Sequence, residues 1–134
     1  MAMGTVVNLA TYRKAVDLPL AAATLTPHPA DDLSFMRRLK PKGWGINYWV
    51  VDATGNYGTD CERGAELGAE YLSYIGEHPT YGNGTLLGCI VRSMMERTEV
   101  RERGRPTGIE IAFLAAVNRH AMSAAYVMRN PAAH

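Results

Sequence analysis

Few side chains of this chain could do chemistry, and their spacing does not bring them together. The histidines and cysteines are His28, His78, His120, His134, Cys61 and Cys89. A metal site needs several such ligands at spacings that direct them to one centre. A nucleophilic cysteine needs a histidine and an orienting partner, and neither cysteine has an assignable pair. The sequence therefore predicts no metal, no cofactor and no catalytic site.

An enzyme of unrecognised type is kept as a second alternative, and it would use Tyr48, Asp60 and His120. His120 falls inside an apolar helical pattern, which is typical of a core or interface histidine satisfied by a hydrogen bond. The turn Gly82-Asn-Gly84 is not followed by the Lys-Ser/Thr pair of a phosphate-binding loop. We therefore interpret it as a turn between helices.

Charged residues form one acidic and two basic groups. Glu62, Glu66 and Glu70 recur every four residues, so they share one helix face, which is typical of a solvated surface or a docking surface for a basic partner. One basic group contains Arg37, Arg38, Lys40 and Lys42, and the other contains Arg92, Arg97, Arg101, Arg103 and Arg105. Basic residues beside aromatic ones can bind nucleic acid, which is the first alternative function. The net charge of +1 supplies no overall field toward that partner.

Three helices are predicted to hold these residues, at about 60–77, 85–97 and 108–129. Thr59 with Glu62, and Thr107 with Glu110, have the spacing of capping boxes at the first and third helix. The third helix is apolar nearly all round, which indicates that it is buried centrally or packs on a second subunit.

Two glycines inside the first long helix, Gly64 and Gly68, predict a close helix contact. Each costs about 1 kcal/mol relative to alanine in a helix interior. Such a cost is tolerated where another backbone must approach closely.

The sequence ahead of the helices is of two kinds. Residues 44–51 are aromatic and β-branched, which indicates a short strand or an extended segment lying across the helices. Residues 1–43 are predicted to form a partly irregular N-terminal arm with short helices at about 8–16 and 31–39. The fold class is therefore mainly α, with a three-helix core at 44–134 and a single domain overall.

Length and composition agree with one soluble domain. The chain has 134 residues, of which 47% are hydrophobic and 20% charged, as in ordinary globular proteins. No stretch reaches the roughly eighteen apolar residues of a membrane span. We expect a cytoplasmic protein that does not bind a membrane.

Several short motifs within about residues 49–115 resemble those of small uncharacterised helical proteins of bacteriophages and prophages. The motifs are Thr54-Gly-Asn-Tyr57, Asp60-Cys61, Leu86-Leu-Gly88, Ile90-Val91 and Gly108-Ile-Glu-Ile-Ala-Phe-Leu114. The resemblance implies a phage-related setting and a shared helical fold. It implies no activity.

The sequence thus predicts a non-enzymatic interaction module that binds a protein partner or a second copy of itself. The third helix or the aromatic segment would make the contact. The candidate partner-binding residues are Trp44, Tyr48, Trp49, Glu62, Glu66, Glu70, Arg97, Arg101, Arg103 and Arg105.

Overall fold

The computed structural model describes residues 27–39 and 45–133, and this part of the chain is mainly helical. The elements in chain order are α1 (Pro29–Asp32), β1 (Arg37–Arg38), β2 (Ile46–Asn47), α2 (Tyr57–Glu77), a 3-10 turn (Tyr81–Asn83), α3 (Leu86–Met95), α4 (Thr98–Arg103), α5 (Gly108–Arg129) and a last 3-10 turn (Pro131–Ala133). The three predicted helices are confirmed as α2, α3 and α5. The helix predicted at about 8–16 lies outside the described residues.

Helix α2 begins at Tyr57, earlier than the predicted start at about residue 60. The side-chain oxygen of Asn56 accepts a hydrogen bond from the backbone N–H of Thr59 at 2.9 Å, so Asn56 is the N-cap. The predicted capping box of Thr59 with Glu62 is therefore wrong, because both residues lie inside the helix. An asparagine at this position satisfies one of the unpaired amides of the first turn, as the predicted threonine would have done.

Helices α2 and α5 pack in parallel through the two glycines of α2, as predicted. A β-carbon on Gly64 would collide with the backbone carbonyl of Ile109, and one on Gly68 would lie 2.7 Å from the Cβ of Ala116. The partners on α5 advance along the chain with the glycines, which sets the parallel direction. Any side chain at either position would push the two helices apart.

The first turn of α5 carries the capping box that the sequence predicts. The carboxylate of Glu110 accepts from the backbone N–H of Thr107 at 2.7 Å and from its hydroxyl at 2.5 Å. Its other oxygen accepts from the indole N–H of Trp49 at 2.8 Å. Glu110 is buried, and these bonds compensate for the removal of its charge from water.

An aromatic cluster fills the centre of the core, where Trp49 and Phe113 are completely buried. Phe113 meets Trp49 and Phe35 edge-on, with ring centroids 5.0 and 5.6 Å apart, and the ring of Tyr71 also lies 5.6 Å away. Such edge-to-face pairs add to the free energy gained from burying the rings.

The predicted boundary between an arm and a helical domain at residue 43 does not separate the packing. Leu33, Phe35 and Met36 belong to the same core cluster as Trp49 and Phe113. A hydrogen-bonded turn brings them there, in which the backbone N–H of Met36 donates to the carbonyl of Leu33 at 3.2 Å, and not the helix predicted at 31–39. That prediction is wrong, since the helix is the single turn α1.

Strand β1 pairs antiparallel with β2, so that Arg37 is opposite Asn47. The ladder continues on both sides, where Leu39 donates to the carbonyl of Gly45 at 3.2 Å and Val50 donates to that of Phe35 at 2.9 Å. Strand β2, which lies within the segment predicted to be a short strand or an extended segment, thus pairs with β1.

The charged connection between the second and third predicted helices contains a short helix of its own. Helix α4 buries Val100 and ends at Gly104, whose φ of +71° favours glycine. Arg97 is the extended N-cap of α4, and for that reason α3 ends at Met95, short of the predicted residue 97.

Candidate functional site

The second half of α5, residues 118–129, is an exposed surface that includes three large apolar side chains, those of Met122, Tyr126 and Val127. From Asn118 to Val127 every residue is exposed, and Met122 and Tyr126 keep 63% and 59% of their surface in contact with solvent. The expectation of central burial is therefore wrong for this half of the helix in the single chain. The core reaches only as far as Leu114 and Val117.

Helical spacing places most of the large exposed residues of α5 on one side, while Val127 lies about 100° from Tyr126 around the helix. Ile111, Ala115, Met122 and Tyr126 follow one another at intervals of four and seven, which return to the same face. Arg119 lies four residues after Ala115 and Arg129 seven after Met122, so both guanidinium groups share that side. We define the distal face of α5 as Arg119, Met122, Tyr126 and Arg129.

The distal face carries positive charge without any compensating acid. The residues that follow Glu110 include Arg119 and Arg129 but no aspartate or glutamate up to the end of the sequence. Within the described residues, neither arginine forms an ion pair. The surface therefore combines two bulky apolar side chains with two free cations.

Of the aromatic residues predicted to bind a partner, Trp49 is corrected to a core residue. It has no exposed surface and donates its indole N–H to Glu110. Tyr48 is half-buried beside Cys89, and Trp44 lies outside the described residues. The aromatic segment therefore does not form the docking surface that its composition suggests, because its largest described side chain points into the core.

The acidic group on α2, Glu62, Glu66 and Glu70, is partly engaged by contacts within the chain. Glu62 and Glu66 are exposed, and Glu66 makes a 3.4 Å ion pair with Arg63 of the same helix. Glu70 instead accepts from the backbone N–H and the hydroxyl of Ser34, both at 2.6 Å. Two of the three predicted carboxylates thus remain available at the surface, while the third holds the chain after α1.

The second basic group is likewise divided. Arg97 is largely buried and pairs with Asp52 and with Glu99, so it serves the fold. Arg101, Arg103 and Arg105 are exposed.

In the first basic group, Arg38 is engaged by a bidentate pair with Asp31 at 2.9 Å, whereas Arg37 is exposed. Lys40 and Lys42 lie outside the described residues. Arg38 and Arg97 are thus engaged by carboxylates, and nucleic-acid binding by the remaining arginines stays a prediction.

The three candidate catalytic groups do not converge. Asp60 is buried at the start of α2 and accepts from the Thr54 hydroxyl at 2.7 Å and from its backbone N–H at 3.0 Å. These bonds lower the pKa of Asp60. His120 is exposed and lies twelve residues beyond Gly108, the α5 residue beside Asp60, which is about 18 Å along the helix. His120 is therefore not a core histidine in the single chain, and its other predicted place, at an interface, stays a prediction.

Tyr48 does not behave as a base either. Burial and, to a smaller extent, the neighbouring Cys89 raise the pKa of its hydroxyl, so it stays protonated at neutral pH. Tyr48 and Cys89 line two cavities of about 200 and 230 Å³, and a third cavity of about 250 Å³ lies between β2 and the end of α3. Each is smaller than the roughly 300 Å³ at which small-molecule sites begin.

Metal-ligand side chains do not meet in the residues that the structure describes, where no three of histidine, cysteine, aspartate and glutamate form a group able to hold an ion. Cys61 and Cys89 are both free thiols. No described helix is long and apolar enough to cross a membrane.

Comparison with known proteins adds no relative. No family model matches the chain, and neither a curated protein nor a solved structure does. The candidate site therefore rests on geometry alone. The interaction role predicted for the third helix stays a prediction. Met122 and Tyr126 were not among the predicted partner-binding residues, although their spacing of four was the signal that could have found them.

Proposed function

We propose that the chain is a small non-enzymatic protein-interaction module that binds a protein partner, or a second copy of itself, through the distal face of α5. The observation that carries this proposal is the exposure of Met122 and Tyr126 on a helix whose preceding turns bury Ile109, Glu110 and Phe113 in the core. The phage-related setting suggested by the sequence is part of the proposal, and there the module would regulate or interfere with a host component.

The composition of the distal face favours a protein contact. Tyrosine, methionine and arginine are the types enriched at the centre of protein interfaces, where they supply apolar area and adaptable packing. Side chains four apart on a helix are the usual anchors when a helix enters an apolar groove. Burying one such side chain contributes about 1.5–3 kcal/mol, which is enough for the two residues to dominate a modest interface.

The length of the exposed segment of α5 also favours a protein contact. Residues 118–129 form about three turns, and an isolated helix of that length is only marginally stable in water. The proximal half of α5 supplies a nucleus, but the distal half gains little from it in the single chain. A partner that covers the apolar side would stabilise these turns, as packing stabilises most helices in proteins.

The proposal is tested by capture from lysate of the source cells, using the full chain as bait. The Met122→Ser/Tyr126→Ser double variant is compared with the wild type, and the matched control is Tyr81→Ser, which removes a tyrosine that is 76% exposed elsewhere. We expect proteins held by the wild type and by the control to be lost from the double variant, with sedimentation reporting any self-association. Identical capture by all three baits, together with a wild type that stays monomeric, would contradict the proposal.

A further inference from the structure

The outward side of α2 is an exposed surface made of small and acidic residues. Its members are spaced by three, four and seven along the helix, and all are exposed: Glu62, Glu66, Ala69, Ser73, Gly76 and Glu77. We call this set the outer face of α2. A β-carbon added to Gly76 would meet nothing within 4 Å, so this face is open near the C-terminal end of α2. It lies opposite Gly64 and Gly68, which pack on α5.

The outer face of α2 and the distal face of α5 carry opposite charge. Helix α2 contains Asp60, Glu62, Glu66, Glu70 and Glu77 against Arg63 alone. The chain beyond Glu110 contains Arg119 and Arg129 and no acid. The small overall charge of +1 thus conceals an acidic helix packed beside a basic one.

The two faces also match in the spacing of their charged residues and in the size of the side chains between them. Arg119 and Arg129 are ten residues apart, about 15 Å along the helix axis, and Glu66 and Glu77 are eleven apart, about 16.5 Å. Between the arginines stand two bulky side chains, those of Met122 and Tyr126. Between the glutamates stand only Ala69, Ser73 and Gly76, which leave room for them.

From this match we infer that the partner is a second copy of the chain, whose α2 receives the distal face of α5. Arg119 and Arg129 pair with Glu66 and Glu77 in either order, while Met122 and Tyr126 lie over the small residues between. The inference rests on the proposed function and names its partner. A contact within one chain is excluded, because the inward sides of α2 and α5 pack together and both of these faces point outward.

Two such contacts form when the α5 of each copy packs on the α2 of the other. Stable interfaces bury roughly 1,200–2,000 Å², and reciprocal exchange doubles the area that one helix face of about 15 Å supplies. The Arg63–Glu66 pair inside α2 is a weak competitor, since both side chains are more than half exposed. Pairing across the copies replaces it with a better-shielded contact.

Charge exchange between two variants tests the inference in the full chain. One variant carries Arg119→Glu and Arg129→Glu, and the other carries Glu66→Arg and Glu77→Arg. Each change sets like charges against each other in its own dimer, so we expect the dissociation constant measured by sedimentation velocity to rise at least about tenfold for each variant alone. An equimolar mixture restores opposite charges at both contacts, and we expect affinity within about threefold of the wild type.

The control is Arg101→Glu/Arg105→Glu, which changes the net charge by the same amount as Arg119→Glu/Arg129→Glu but lies off both faces, and it should dimerise as the wild type does. Circular dichroism confirms that each variant is folded. The inference is overturned if the wild type is monomeric, if either reversal leaves its dimerisation unchanged, or if the mixture does not recover. The outcome for the proposed function is distinguishable from this one. If the chain is a monomer that still captures a protein, and the capture depends on Met122 and Tyr126, the proposed function holds and only the inference of a second copy fails.

Discussion

The two halves of α5 have similar composition and opposite surroundings. In residues 108–117 the structure buries Gly108, Ile109, Glu110 and Phe113, and the helix is held by the core from its first turn. In residues 118–129 it buries none. Both halves contain several alanines and large apolar residues, so composition does not distinguish them. The distinction lies in what the rest of the chain brings to each.

The proximal half is buried because specific neighbours meet it. Gly64 and Gly68 let the α5 backbone approach, and Trp49 reaches the carboxylate of Glu110. No described residue provides an equivalent partner for the distal half. An apolar helix pattern therefore indicates which helix needs a partner. How far the core extends along that helix depends on contacts from distant parts of the chain.

The largest expected effect compares the loss of stability when an aromatic ring is removed from each half of α5. Phe113→Ala removes a completely buried ring and should lower the free energy of unfolding by about 4 kcal/mol. Tyr126→Ala removes a ring of similar size that is 59% exposed and should change it by less than about 0.5 kcal/mol. Both are measured by urea denaturation at protein concentrations low enough to keep the chain monomeric. Comparable losses for the two variants would show that the distal half is part of the core.

The next effect concerns the contact that holds the proximal half. Gly64→Ala forces a β-carbon against the carbonyl of Ile109 and should destabilise the fold by about 3 kcal/mol. Gly76→Ala on the same helix meets open space and should stabilise it by about 0.5–1 kcal/mol. Thermal unfolding of both variants is compared with that of the wild type. Equal responses would rule out the close packing of α2 on α5.

A smaller effect is expected at the buried carboxylate of the proximal half. Glu110→Gln keeps one oxygen acceptor but places an amide N–H₂ where Trp49 or Thr107 now donates. One buried donor then lacks a partner, and the free energy of unfolding should fall by about 2 kcal/mol. Glu66→Gln, at an exposed carboxylate, should change it by less than about 0.5 kcal/mol. Urea denaturation separates the two, and a neutral Glu110→Gln would mean that the hydrogen bonds to Glu110 contribute little.

Much of the helical frame could be predicted from the sequence because its signals are local. Helical periodicity located α2, α3 and α5, the pair Thr107 and Glu110 marked the start of α5, and the glycines of α2 marked the close contact. The segment at 31–39 could not be predicted in this way. Its order of charges suits a helix, yet Leu33 and Phe35 reach the core from a turn that leads into β1, and the strand that pairs with β1 begins only at Ile46.

The candidate site was less predictable, because the roles of charged and aromatic side chains depend on distant partners. Glu70 is engaged by Ser34 and Arg97 by Asp52, and Trp49 faces Glu110 across sixty-one residues. None of these pairings has a local signature. Met122 and Tyr126 reach the surface for the converse reason, since no described part of the chain extends far enough to cover them.

The smallest effect concerns pH and the loop that precedes α2. Hydrogen bonds from the Thr54 hydroxyl and the backbone N–H groups of Thr54 and Gly55, with the nearby charge of Arg103, lower the pKa of Asp60 below its ordinary value of 3.8. Because the folded pKa is the lower one, protonation favours the unfolded chain. The stabilisation is complete above the ordinary pKa and is lost as the pH falls through the folded one. We expect the midpoint of thermal unfolding to decrease as the pH is lowered from about 6 to about 2.5.

Asp60→Asn isolates this contribution from that of Asp31, whose pKa is also lowered, first by its hydrogen bond to Arg38. Asparagine retains one oxygen for Thr54 but cannot carry the charge, so the variant should melt below the wild type at neutral pH. As the pH falls, the wild-type carboxylate is protonated and the two melting midpoints should converge. Parallel curves over the whole range would show that the charge of Asp60 does not stabilise the loop, and that the start of α2 is held by Asn56 and the packing of α5 alone.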